Sequence, residues 1–231
     1  MCSDPVCSLG GPLNTSKFIL ASAAAAVVLS ASPAWADIVT IDLNQNNLGI
    51  VGSIGTVTVD RTSTTTATIT FQANSGYRFV DGGSAAVNVN APNWSVSSIS
   101  PAILSPAGAG NEDGMGSFNQ TFNLPNASPA NSQATMSFVL TDIGGTWASA
   151  ATVLALNTPG GNGSGYAAAH FGVCDVAACG PGFEFGANTG FAAGNTETFP
   201  GGSNVLEPNS ASLALLALGL LGAGFWTRRK V

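Results

Sequence analysis

Apolar and polar residues alternate with a period of two along much of this chain. Thr66 to Gln72 places Ala67, Ile69 and Phe71 on one face and Thr66, Thr68, Thr70 and Gln72 on the other. Thr135 to Thr141 sets Met136, Phe138 and Leu140 opposite Thr135, Ser137 and Thr141. Ser117 to Leu124 groups Phe118, Phe122 and Leu124, with Gln120 as a polar exception, against Ser117, Asn119, Thr121 and Asn123. Val39, Ile41 and Leu43, then Val57 and Val59, give partial versions of the same pattern. Successive side chains of a strand point to opposite faces, so this alternation predicts half-buried strands, the habit of antiparallel sheets. Ala167 to Val173 also reads as a strand. The segments 90–93, 101–113, 125–131 and 158–165 are rich in Gly, Asn, Pro and Ser and predict turns. A helical turn suggests itself only near Trp147–Ala151. Short strands at a spacing of roughly 8–12 residues predict an all-β fold, an antiparallel β-sandwich with a jelly-roll-like arrangement as one form of it.

The two ends follow a different pattern. Lys17 precedes an apolar segment from Phe18 to about Leu29, and Ala34-Trp35-Ala36 places small residues at positions −3 and −1 of a cut before Asp37. Charge, apolar segment and small-residue site together predict a secretory signal peptide over 1–36. At the other end Val205-Leu206-Glu207-Pro208 precedes an uncharged run, Ala211 to Trp226, and the basic cluster Arg228-Arg229-Lys230. As a helix that run spans roughly 24 Å at about 1.5 Å per residue, short of a hydrocarbon core of about 30 Å. Glycines 219, 222 and 224 weaken it further. A marginal transmembrane helix suits a temporary stop, with the basic residues held on the cytoplasmic side. Pro208 biases Glu207 towards an extended, accessible conformation.

This tail resembles the PEP-CTERM sorting signal of bacterial exported proteins. The family pattern is Val-Pro-Glu-Pro; Val205, Glu207 and Pro208 match, and Leu206 stands where the family has its first proline. The resemblance implies export through the Sec translocon of a Gram-negative, exopolysaccharide-producing bacterium, with transient residence in the inner membrane. It also implies cleavage by an exosortase, a membrane transpeptidase, and a final place at the cell surface or in the extracellular matrix. The expected organisation is therefore a signal peptide over 1–36, a β-sandwich ectodomain over 37–194, a linker over 195–204 and a sorting signal over 205–231, with its transmembrane helix at 211–226.

Once the ends are set apart, the body becomes strongly acidic. Between residues 37 and 206 the bases are Arg61 and Arg78 against ten acids, a net charge of −8. Nucleic acid is a poor partner for such a surface, because phosphate binding needs clustered Lys and Arg. Cys174 and Cys179 are the cysteines left after signal removal, and in an exported chain an even pair predicts a disulfide. A metal shell of those cysteines with His170 and Asp175 is the less favoured reading, and no metal or cofactor is expected.

His170, the single histidine, has no nucleophile elbow beside it and reads as structural. Glu112, Asp113, Glu184 and Glu197 are the acids from which a hydrolytic pair would have to be drawn. Asp81-Gly82-Gly83 and Asn111-Glu112-Asp113-Gly114 lack the ligand spacing of calcium loops and read as solvated turns. Trp94, Trp147, Tyr166 and Phe183 are candidates for a sugar-stacking platform, although core packing explains aromatics equally well. The expected function is that of a non-enzymatic surface or biofilm-matrix protein, with exopolysaccharide as a candidate partner. The alternative is an exported carbohydrate-binding module or polysaccharide-active hydrolase carrying the same tail.

Overall fold

In the computed structural model, residues 37–126, 130–174 and 189–199 are described. Thirteen strands follow in chain order: β1 Asp37–Asp42, β2 Gln45–Asn46, β3 Gly55–Arg61, β4 Thr66–Ala73, β5 Tyr77–Phe79, β6 Ala85–Val87, β7 Trp94–Ser100, β8 Ser105–Glu112, β9 Gly116–Asn123, β10 Thr135–Asp142, β11 Ala167–Val173, β12 Thr189–Gly194 and β13 Glu197–Thr198. The helical turn expected near Trp147–Ala151 is a single 3₁₀ turn, Ala150–Thr152. Its first amide, on Ala150, donates to the Asp37 carboxylate at the start of β1.

The strands form two antiparallel sheets. One has the order β13-β1-β3-β4-β10-β7, the other β2-β12-β11-β6-β9-β8, with β5 also pairing to β11. The periodic segments became the strands expected of them, and their apolar faces meet in one core. Val39, Ile41, Val57, Ile69, Phe71, Met136, Phe138 and Leu140 of the first sheet are buried with Val87, Phe122, Ala169 and Phe171 of the second. Phe138 stacks on Phe122 across the layers, ring centroids 4.0 Å apart. Gln120, the polar exception, is buried as well and accepts a hydrogen bond from Trp94 Nε1 of the facing sheet at 3.2 Å. A buried amide is tolerated there because it finds a partner.

Two sequence expectations need correction. The segment 101–113 contains strand β8, not only turns. Most of β8 is exposed and built of small residues, so no side-chain alternation marks it; its pairing with β9 is carried by the backbone. Phe118 and Phe122, assigned to one face, belong to different clusters. Phe122 lies in the shared core, whereas Phe118 packs with Met115, Ala86, Ala168 and Ala193. The register of β8 on β9 breaks twice, between Pro106 and Gly108 and between Gly108 and Gly110. Each bulge inserts an unpaired residue, which resets the alternation and bends the ladder.

The bent β8–β9 hairpin brings its tip onto the outer face of the second sheet. Ser117 N donates to Thr158 O at 3.1 Å and Asn162 N to Gly114 O at 2.7 Å. Asn157 Nδ2 donates to Met115 O at 2.8 Å. Gly116 (φ +95°) has no room for a Cβ, which would strike the Thr158 carbonyl. The middle of the second sheet is thus buried on both faces. That accounts for the run Ala167-Ala168-Ala169, fully buried without alternation.

Candidate functional site

Under the hairpin tip the fold gathers residues that are far apart in sequence. Glu112 ends β8, and its side chain lies against the backbone of Gly83. Gly83 has φ +91°, and a Cβ there would collide with the Glu112 carboxylate, so this turn admits only glycine. The turn is held from both sides: Gly83 N donates to Asn123 Oδ1 at 2.7 Å, and His170 N donates to Gly83 O at 3.0 Å.

His170 sits on β11 directly opposite Phe191 of β12. Their rings stack nearly parallel, 4.3 Å apart. His170 Nδ1 donates to the Asp81 carbonyl at 2.5 Å. A carbonyl can only accept, so this bond fixes the tautomer with its proton on Nδ1 and leaves Nε2 as the acceptor. Asn47 ties the periphery together, donating to Asp113 O and accepting from Phe191 N.

The electrostatics follow from burial. Glu112 is 1% exposed, and its Oε2 has no hydrogen-bond partner among the described residues. Removal from water penalises the charged form and raises its pKa from 4.5 to about 7. Burial lowers the pKa of His170; the bond to the Asp81 carbonyl and the carboxylates of Asp81 and Asp113 act in the opposite direction. At neutral pH the imidazole is therefore neutral, and the Glu112 carboxyl stands near its midpoint.

This geometry corrects the reading of the two acidic turns at one residue: Gly82, Asn111 and Asp113 are exposed, as solvated turns predict, and Glu112 is not. Asp81–Gly83 and the Asn111–Gly114 tip meet each other, and Glu112 is buried instead of solvated. The bulges that fold the hairpin back are the cause. Among the described residues no three His, Cys, Asp or Glu side chains converge as a metal shell. Glu112 is closed to a substrate, Asp113 is exposed beside it, and Glu197 lies on β13 at the edge of the other sheet. Glu184 falls outside the described residues. His170 is hydrogen-bonded through Nδ1 and stacked on Phe191. Asn123 and Phe191 belong to no candidate site read from the sequence, and Gly83 only to the Asp81-Gly82-Gly83 turn. Only the paired glycines after Asp81 hinted at a close backbone approach.

The aromatic candidates divide. Trp147 is 2% exposed and donates from Nε1 to Asn90 O at 2.9 Å, so it is a core residue. Trp94 and Tyr166 pack against the same core, and Phe183 lies outside the described residues. A shallow depression lined by Asn74, Ser75, Tyr77 and Arg78 measures about 140 Å³, below the roughly 300 Å³ at which small-molecule sites usually begin.

Of the export and sorting residues, Asp37 is described, as the first residue of β1, and Ala34 and Ala36 are not. Val205, Glu207, Pro208, Arg228, Arg229 and Lys230 also lie outside the described residues, as does the expected helix at 211–226. Among the described residues no helix is long and apolar enough to cross a membrane. Cys174 is 8% exposed just past the end of β11, and Cys179 lies outside the described residues. Comparison of the chain with protein-family models, with curated proteins and with solved structures gives no match.

Proposed function

We propose that this is an exported surface or extracellular-matrix protein with a non-enzymatic β-domain, sorted and cleaved by an exosortase through its C-terminal signal. The observation that carries this reading is the tail: Val205, Glu207 and Pro208, then the uncharged run 211–226, then Arg228-Arg229-Lys230. One feature of the fold supports it: Glu112, the most buried acid among the described residues, is locked under a hairpin, out of reach of a polysaccharide. A jelly-roll-like sandwich is the form of the domain that we favour.

Glu207→Ala with Pro208→Ala is expected to leave the protein unprocessed in the inner membrane. Fractionation and mass measurement of the mature C-terminus check this, and normal release of the double variant would refute the sorting role. We also propose a Cys174–Cys179 disulfide in the exported protein. Thiol labelling after denaturation is expected to find no reactive cysteine in the mature chain without reductant and two with it. Two thiols labelled without reductant would rule the bridge out.

A further inference from the structure

The last described strand lies inside the stretch that the sequence marks as linker. β12 ends at Gly194 in the second sheet, and three residues later β13 pairs with β1 in the first. The pairing is antiparallel, with Thr40 opposite Thr198 and Ile41 opposite Glu197. Thr198 Oγ1 donates to Thr40 O at 3.1 Å. The crossing is tight: a Cβ on Gly194 would strike the Ile41 side chain and the Asp42 carbonyl. Because β13 runs against β1, the chain leaving Thr198 heads back towards Asp37, three residues or about 10 Å along the strand. Asp37 is itself pinned, by the Ala150 amide and by Arg61 Nε at 3.5 Å. The start of the domain and its C-terminal exit thus share one end of one sheet edge.

β13 also consumes chain length. Measured from Gly194, Glu207 can lie up to about 45 Å away; measured from Thr198, only about 30 Å. We propose that β13 is a spacing clip: its attachment to β1 sets how far Glu207-Pro208 can stand from the folded domain, and turns the Asp37 end of the domain towards the membrane enzyme that cuts at the C-terminal signal. This inference rests on the sorting reading above. A two-residue edge strand suits such a clip, since its few backbone bonds hold it in place while leaving it short enough to be released.

The test uses the full-length chain in cells that hold the processing enzyme, with cleavage followed by mass measurement of the mature C-terminus. Deleting residues 200–203 removes about 13 Å of reach and is expected to lower cleavage about tenfold or more, because a linker too short to span gives almost no effective concentration. Adding Glu197→Pro and Thr198→Pro to that deletion returns the same length. One of these two adjacent amides faces β1, so replacing both removes it and frees residues 195–198. Cleavage is expected to recover to within about twofold of wild type, as it does when four Gly/Ser residues are inserted after Phe199 in the deleted chain. Cleavage of the deletion at the wild-type rate overturns the proposal. Recovery with the Gly/Ser insert but not with the prolines overturns it too. Failure of the sorting reading is separate: the Glu207→Ala, Pro208→Ala chain would then be cut normally.

Discussion

Phe138→Ala is expected to cost the domain about 4 kcal/mol, the range for removing a fully buried aromatic ring. Phe138 is 0% exposed, stacks on Phe122 at 4.0 Å and lies 6.2 Å from Phe71. Its ring joins the two sheets, so its loss leaves a void that neither layer can close alone. For a domain of this size that corresponds to a fall in Tm of roughly 10–15 °C. Phe138→Leu keeps most of the volume and is expected to cost clearly less than Phe138→Ala. Thermal and denaturant unfolding of the mature domain would measure both. A loss under about 1.5 kcal/mol for the alanine variant would mean that the sheets do not meet at this ring.

Glu112→Gln is expected to remove a pH dependence. An unfolded chain ionises Glu112 near 4.5, whereas the folded chain holds its proton until about pH 7. Below pH 4.5 both states are protonated and the group contributes no difference. Between 4.5 and 7 the unfolded state releases the proton first, so wild-type stability falls by about 1.4 kcal/mol per pH unit, about 3 kcal/mol in all. Above 7 the loss levels off. The amide cannot ionise, so the variant should match wild type near pH 4 and exceed it by up to about 3 kcal/mol at pH 8. Other carboxylates titrate in both proteins and cancel in the difference. Denaturant midpoints for both at each pH would show it; parallel curves would exclude Glu112 as the buried acid.

The structure explains why this acid escaped a sequence reading. Asn111-Glu112-Asp113-Gly114 is polar, short and ends in glycine, all signs of a solvated turn. The turn at Asp113–Met115 follows from that local chemistry, and the burial of Glu112 comes from elsewhere. Two register breaks in the hairpin and the missing side chain at Gly83 create the space that Glu112 fills. Such long-range fits leave no periodic trace. The same holds for Phe118: alternation assigns it to the shared core, and a bulge places it on the other face of the sheet. β8 was hidden for the opposite reason. Up to Gly110 this edge strand is Ser, Pro, Ala and Gly and buries almost nothing, so no hydrophobic period betrays it.

The sequence by itself determined that the body is all-β and which faces of β1, β3, β4 and β10 turn inward, because burying one face of a strand demands a period of two. It also carries the whole of the proposed sorting address, since charge, apolar length and a Glu-Pro pair act through composition and order along the chain. Only the tertiary structure decided that the acidic turns meet near His170, that Glu112 is buried, and that β13 pairs with β1. Those outcomes depend on which strands become neighbours and where their ladders slip. Pairing energies of that kind are shared between distant segments and are written in neither of them alone.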